Sequence, residues 1–119
     1  MRVLAFEDSY DIEQILVSGN VDINQIELIQ YWDSSEAQEK IDDCKPDILL
    51  LDHYMPPKTG LQVLKELNIN VEKGNIFRPN TIVGMSTSSS ANEQMEKFGA
   101  DYIINKFSLS ELKFWPKLN

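Results

Sequence analysis

The sequence is most constrained by one aliphatic run, Ile48–Leu51, which follows Pro46 and ends directly at Asp52. An unbroken run of this kind is typical of a strand that is buried on both faces at the centre of a parallel sheet. In open α/β sheets, ligands bind at the carboxyl ends of the strands. Pro56 and Pro57 come next, and a proline has a fixed φ and no N–H to donate, so neither strand nor helix continues there. The sequence therefore predicts Asp52 on a stiff loop at the ligand-binding edge of a sheet.

The rest of the chain alternates short apolar runs with segments of helical periodicity. The predicted strands are 2–6, 26–31, 48–51, 82–85 and 102–104. Apolar residues three and four apart mark one face of each predicted helix. These faces are Ile12, Ile15 and Leu16; Ala37, Ile41 and Cys44; Leu61, Leu64 and Leu67; Ala91, Met95 and Phe98; and Leu109, Leu112 and Trp115. Five strand–helix units predict an α/β domain over residues 1–119, a doubly wound five-stranded parallel sheet with helices on both faces, (βα)5.

Helix ends are predicted from capping residues. The first helix is expected to begin at Asp8 or Ser9, whose side chains can accept hydrogen bonds from the first helical N–H groups. Capping-box pairs precede the second and fifth helices: Ser35 with Gln38, and Ser108 with Glu111. The segment 68–80 contains glycine, proline and several asparagines without a helical period, and it is predicted as a loop.

The charge balance limits the kinds of partner. Nineteen acidic residues against 11 lysines and arginines give a net charge of −8. Direct nucleic-acid binding is not expected, because phosphate neutralisation needs a basic surface. No apolar run is long enough to span a membrane, and no signal peptide pattern stands at the start. Cys44 is the sole cysteine, so an internal disulfide is impossible. We therefore expect a cytoplasmic protein with no membrane association, whose partners are other proteins.

Polar residues follow four of the predicted strands. Glu7 and Asp8 follow the first strand, Asp52 the third, Ser86 the fourth and Lys106 the fifth. Because the carboxyl ends of parallel strands meet at one edge, we expect these side chains to converge. Neighbouring carboxylates repel one another unless a cation offsets them, and an all-oxygen ligand set favours Mg²⁺. A hydroxyl and an ammonium suit the oxygens of a phosphoryl group, which an aspartate can accept. The sequence thus predicts magnesium-dependent aspartyl phosphorylation.

With these residues the sequence resembles the receiver domains of two-component response regulators, over nearly its whole length. The matching positions are the acidic pair Glu7-Asp8, the phosphoacceptor Asp52, then Met55-Pro56 and Gly60, the switch hydroxyl Ser86 and the lysine Lys106. The resemblance implies a flavodoxin-like fold. It also implies a Mg²⁺ site in which the pair Glu7 and Asp8 binds the metal together with Asp52 and the backbone carbonyl of Tyr54, the second acid of the pair being the direct ligand in the family.

The resemblance further implies a function in phosphorelay signal transduction. The phosphoryl donor would be a sensor histidine kinase or a phosphotransfer protein, and the output would go to a downstream protein target. No enzyme activity is expected beyond self-catalysed phosphoryl transfer and hydrolysis at Asp52. Since the 119 residues hold no effector domain, a stand-alone receiver that signals in trans is expected.

Three positions differ from the family pattern. Phe107 stands where a proline usually follows the lysine. Ile103 stands three residues before Lys106, where the family often has an aromatic residue. Thr87 stands where the family commonly has a small residue. These differences leave an alternative open, a pseudo-receiver that acts as a phosphorylation-independent protein-binding module. A phosphatase with an aspartyl nucleophile is another alternative, but Tyr54 stands where such enzymes usually carry their second acid. His53 is expected to be structural or exposed rather than a general base.

Overall fold

A computed structural model describes residues 1–119. The strands are β1 (Arg2–Phe6), β2 (Glu27–Tyr31), β3 (Ile48–Leu51), β4 (Thr81–Gly84) and β5 (Tyr102–Ile103). The α-helices are α1 (Ile12–Ser18), α2 (Ala37–Cys44), α3 (Gly60–Glu72) and α4 (Ser89–Lys97), and two 3₁₀ helices cover Ile23–Gln25 and Lys106–Glu111. All strand pairs are parallel, in the order β2-β1-β3-β4-β5. The predicted doubly wound five-stranded sheet is confirmed, with β2, β4 and β5 each displaced by about one residue from the predicted bounds.

The core has two layers because alternate residues of a strand point to opposite faces of the sheet. One layer combines Leu49 and Leu51 of β3 with apolar side chains of α2, α3 and α4. The other combines Ile48 and Leu50 with α1 and with the second 3₁₀ helix. All four residues of β3 are buried, as the apolar run predicted. The two layers leave the carboxyl ends of the central strands as the place where polar side chains collect.

Helix α3 is longer than predicted. It runs through the first five residues of the predicted loop 68–80 and ends at Glu72. Leu67 is buried and Val71 packs against the same apolar layer, so the buried face continues past the asparagines. Asn70 lies on this helix and donates a side-chain hydrogen bond to Gln38 at 3.1 Å. The first asparagines of the segment therefore lie on a helix, where Asn70 makes a polar contact, and do not form the loop that the sequence predicted.

Several predicted helix starts are wrong. Helix α1 begins after Asp11, whose side chain accepts a hydrogen bond from the Glu13 N–H, and not at Asp8 or Ser9. Those two residues belong instead to the loop at the carboxyl end of β1. Helix α2 begins after Glu36, which has a φ of 51° and makes no side-chain cap, so the Ser35 capping box does not form.

The predicted fifth α-helix is replaced by a 3₁₀ helix and an extended tail. The Asn105 side chain caps the 3₁₀ helix, and Leu112 is already extended. Trp115 is buried and donates a hydrogen bond from its indole nitrogen to the Leu109 carbonyl. The tail then pairs with the loop after α1 through a bridge between Val21 and Lys117. The end of the chain is therefore fixed by backbone pairing with this loop, and no fifth α-helix forms.

Helix length and hydropathy also bear on membranes. None of the helices combines the length and the apolar character that crossing a bilayer requires.

Candidate functional site

Glu7 and Asp8 lie on the loop that leaves β1, and a glutamine of β2 holds this loop. The side-chain amide of Gln30 donates to the carbonyls of Glu7 and Tyr10 at 3.0 and 2.8 Å. Its oxygen accepts from the Ile12 N–H at 2.9 Å. Three bonds from one side chain therefore fix the loop between β1 and α1. Sequence reasoning missed Gln30, and its only signal is an amide on a strand that is otherwise largely apolar.

Asp52 lies at the carboxyl end of β3 and is 4% exposed. Its N–H donates to the carbonyl of Phe6, which continues the ladder between β1 and β3 by one residue. Gly60 packs directly against it, because a Cβ at that position would lie 2.0 Å from the Asp52 carbonyl oxygen. Gly60 also donates its N–H to the His53 carbonyl at 2.9 Å. The start of α3 therefore presses on the backbone that carries Asp52.

A buried serine holds the proline-containing loop after Asp52. Ser34 is 2% exposed and donates its N–H to the Pro56 carbonyl at 2.8 Å. Its hydroxyl donates to the Lys58 carbonyl and accepts from the Lys58 N–H, both at 2.7 Å. The stiffness predicted for this loop thus comes from its contacts with Ser34, in the loop after β2, as well as from proline. Ser34 was not identified from the sequence.

Lys106 enters the site from the end of β5 and is 5% exposed. Its Nζ lies 2.5 Å from Oε1 of Glu7 and 3.4 Å from Oδ2 of Asp52. The same Nζ lies 5.5 Å from the centre of the Tyr10 ring, within the range of a cation–π interaction. A buried ammonium shared by two buried carboxylates satisfies the rule that buried charges must be paired. The structure thus brings Glu7, Asp52 and Lys106 together from three strand ends.

These contacts shift the pKa values of two of the groups. Burial, followed by the negative charge of Glu7, raises the pKa of Asp52 from 3.8 to about 6, although Lys106 acts in the opposite direction. Burial alone would lower the pKa of Lys106, but its hydrogen bond to Glu7 and the charge of Asp52 outweigh it, so that the pKa is raised. Lys106 therefore stays charged at neutral pH. The pKa of Asp52, at about 6, lies close to neutral pH.

Ser86 and Asn92 form the part of the site at the end of β4. Ser86 is 1% exposed, and its hydroxyl accepts a hydrogen bond from the Ser88 N–H at 3.0 Å. Asn92 of α4 accepts from the Ser86 N–H at 2.8 Å and donates to the Ser86 carbonyl at 2.9 Å. It also donates to the Ile104 carbonyl at 3.2 Å. Asn92 therefore connects the ends of β4 and β5. Sequence reasoning missed this role, because a single asparagine on an amphipathic helix gives no signal of it.

The remaining predicted positions lie at the rim. Tyr54 is 63% exposed, and its ring meets His53 edge to face with centroids 4.7 Å apart. Burial lowers the pKa of His53, whose Nδ1 is buried without a hydrogen-bond partner. Thr87 is exposed, and Ile103 packs against the core layer of α3 and α4. Phe107 is 55% exposed and its ring lies edge to face on Tyr10 at 5.0 Å.

The acidic cluster has the composition of a site for a hard divalent cation. Glu7, Asp8 and Asp52 each offer a carboxylate oxygen, and these oxygens all lie within 4.8 Å of one another. Both oxygens of Glu7 are already engaged, one with Lys106 and the other with the N–H groups of Ser9 and Tyr10. Asp8 is only partly buried and accepts one hydrogen bond, from the Ser9 hydroxyl. Asp8 and Asp52 therefore have the lone pairs that such a cation needs.

No protein-family model matches the sequence, but two curated proteins resemble it. The chain is 36% identical over 114 residues to the transcriptional regulatory protein CiaR of Streptococcus pneumoniae, and the match covers 95% of this chain and 48% of CiaR. It is 31% identical over 119 residues to protein-glutamate methylesterase/protein-glutamine glutaminase 2 of Vibrio vulnificus, covering 98% of this chain and 30% of that protein. The chain thus spans less than half the length of either relative.

The fold has a close counterpart among solved structures. The phosphorylated cyanobacterial phytochrome response regulator RcpA superposes with a TM-score of 0.71 at 20% identity, over 96% of this chain and 92% of that one. At this identity the likeness concerns the fold alone. The two relatives add likeness of sequence over nearly all of the chain, and together these comparisons support its identification as a response regulator receiver domain.

Proposed function

We propose that residues 1–119 form a receiver domain that accepts a phosphoryl group on Asp52 and passes the signal on through protein contacts. The observation that carries this proposal is the buried ion-pair network in which Lys106 contacts both Glu7 and Asp52. Replacing a buried ion pair by apolar residues of similar volume is often neutral or stabilising, because burying charges costs free energy, so stability alone does not explain this network. A buried ion-pair network at the ligand-binding edge of the sheet fits a site that binds the negatively charged oxygens of a transferred phosphoryl group.

The donor would be a phosphohistidine of a sensor kinase or of a phosphotransfer protein. A carboxylate oxygen of Asp52 attacks phosphorus, the bond between phosphorus and the imidazole nitrogen breaks, and the imidazole leaves with the bonding electron pair. Because the pKa of Asp52 is about 6, most molecules carry the nucleophilic carboxylate at neutral pH. Lys106 stays charged beside it and stabilises the negative charge of the phosphoryl oxygens.

Magnesium is the proposed cation. Asp8, Asp52 and the backbone carbonyl of Tyr54 would hold it, with Glu7 completing the acidic cluster and keeping Lys106 in place. When bound, Mg²⁺ supplies charge neutralisation for the phosphoryl group and for the carboxylates. The oxygen donors fit this ion, and no imidazole or thiolate is among them.

The response would start at Ser86. Its hydroxyl is proposed to contact the phosphoryl group, and the Asn92 bonds connect its backbone to α4 and to the end of β5. A shift of Ser86 would therefore move α4 and β5 together and change the surface that a downstream protein target contacts. We propose this output as a protein contact made in trans.

The test is exposure of the protein to acetyl phosphate and Mg²⁺, followed by mass spectrometry of the intact chain. We expect one added phosphoryl group in the wild type and in Asp43→Asn, whose carboxylate is exposed, and none in Asp52→Asn. Phosphate on the Asp52→Asn protein would refute the assignment of the acceptor. If the wild type takes up neither phosphate nor beryllofluoride, the chain is instead a pseudo-receiver that binds its partner without phosphorylation.

A further inference from the structure

Strand β2 ends the sheet and leaves one backbone edge without a partner. The Glu27 N–H donates to the Met1 carbonyl and the Tyr31 carbonyl accepts from the Glu7 N–H, so both of these residues face β1. Because consecutive residues of a strand direct their backbone groups to opposite sides, Leu28 and Gln30 face away from β1. No strand lies beyond them in the sheet. Two N–H groups and two carbonyls are therefore available for a further strand.

The side chains of β2 are also accessible. None of its five residues is buried, whereas four residues of β1, all of β3 and three of β4 are. Ile29 is 36% exposed, and Trp32, directly after the strand, is 52% exposed. An incoming extended segment would therefore find apolar side chains beside the free backbone groups. Strand edges of this kind bind peptides by main-chain hydrogen bonds, with side-chain contacts giving specificity.

The chain around β2 is strongly acidic. Residues 20–45, which contain the strand and the segments on either side of it, hold seven acidic residues and two lysines, a net charge of −5. Glu27 lies on the strand itself and is exposed. The loop and helix that follow β2 expose the carboxylates of Asp33, Glu36 and Asp43. Lys40 of the same helix lies 4.2 Å from the centre of the Tyr31 ring.

We propose that the free edge of β2 binds an extended segment of a partner protein that is rich in lysine or arginine and that pairs with the strand. The negative charge selects this occupant. A second copy of the chain would bring two such edges together, and like charges facing each other across strands are destabilising. A basic segment instead gains from the field of the acidic residues, which also speeds its association.

The probe is a synthetic peptide of alternating valine and lysine, with a matched peptide of valine and glutamate as control. Binding is followed by Trp32 fluorescence and by backbone amide chemical shifts. We expect shifts concentrated at Leu28, Gln30 and the β2 side of α2, and an affinity that falls as salt is raised. Equal binding of the glutamate peptide, or shifts confined to other surfaces, would overturn the proposal.

The variant Leu28→Pro tests the backbone contact. Its N–H faces away from β1, so proline removes a donor from the open edge and leaves the bonds to β1 in place. We expect at least a tenfold loss of affinity for the lysine peptide, and Leu28→Val, which keeps the N–H, should bind as the wild type does. If Leu28→Pro does not fold, a lysine peptide N-methylated at alternate residues serves instead, because it cannot donate to the edge. Undiminished binding in either experiment would show that β2 does not pair with the segment.

Discussion

Asn92 holds Ser86 by two hydrogen bonds, one to the N–H and one to the carbonyl of the same residue, at 2.8 and 2.9 Å. Both residues are almost completely buried. This pairing copies the way a neighbouring strand would bond to β4, but it comes from a helix side chain. Ser86, the proposed switch residue, is therefore connected to α4 by hydrogen bonds to its backbone, which do not depend on its hydroxyl.

The first prediction concerns Asn92. Replacement by alanine leaves the buried Ser86 N–H and the carbonyls of Ser86 and Ile104 without this partner, and should lower the free energy of unfolding by about 2–3 kcal/mol. Urea denaturation measures the change. Asn24→Ala at an exposed position is the control and should be close to neutral. If the two variants are equally stable, the Asn92 bonds contribute nothing that water cannot replace.

The second prediction concerns Gly60. In Gly60→Ala the new Cβ meets the Asp52 carbonyl, so the backbone of the site must move, with a cost of about 1–3 kcal/mol. We expect weaker Mg²⁺ binding together with altered amide shifts at Asp52 and Tyr54. Gly74→Ala is the matched control, since Gly74 has a φ of 76° and open space around its Cα. That variant should lose stability from backbone strain but bind Mg²⁺ normally, and the reverse pattern would contradict the prediction.

The third prediction concerns pH. The folded protein holds the Asp52 proton up to about pH 6, whereas the unfolded chain releases it near 3.8. Between these values the folded state binds more protons, so this group lowers the free energy of unfolding as pH rises through the window. In magnesium-free buffer, Asp52→Asn should therefore be more stable than the wild type at pH 7, by about 1–3 kcal/mol. The difference should shrink toward zero below pH 4. Denaturation of both proteins across pH 4–8 measures it, and a variant less stable than the wild type at pH 7 would refute the burial argument.

The fourth prediction concerns Gln30. Gln30→Ala removes three hydrogen bonds from the loop that carries Glu7 and Asp8, while the backbone pairing of β2 remains. We expect Mg²⁺ affinity to fall by about tenfold, the usual scale for residues that support metal ligands. Gln94→Ala, at an exposed site on α4, should bind as the wild type does. Isothermal titration with Mg²⁺ gives both values, and equal affinities would mean that the loop keeps its shape without Gln30.

Local sequence patterns predict the fold and the site correctly where one physical effect dominates. The run Ile48–Leu51 predicted a buried strand, and the parallel arrangement of the strands brings Glu7, Asp52 and Lys106 to one edge. The patterns failed where tertiary contacts decide. Nothing in the sequence shows that the tail with Lys117 pairs with the loop at Val21, and the apolar spacing of the last segment predicts an α-helix that does not form. The hydrogen bonds of Gln30 span 18 to 23 residues, and Asn92 bonds Ser86 across six residues and Ile104 across 12, which no local pattern encodes.

The position of Gln30 has a consequence for how signals could enter this domain. Its backbone lies on the open edge of β2, and its side chain holds the loop of the acidic cluster. A segment bound at that edge would therefore constrain the loop as well as the strand. Thermodynamic linkage is reciprocal: if the segment changes the affinity of the cluster for Mg²⁺, then Mg²⁺ changes the affinity for the segment by the same factor. The edge strand would then be an input to the domain, able to tune its readiness before any phosphoryl donor arrives.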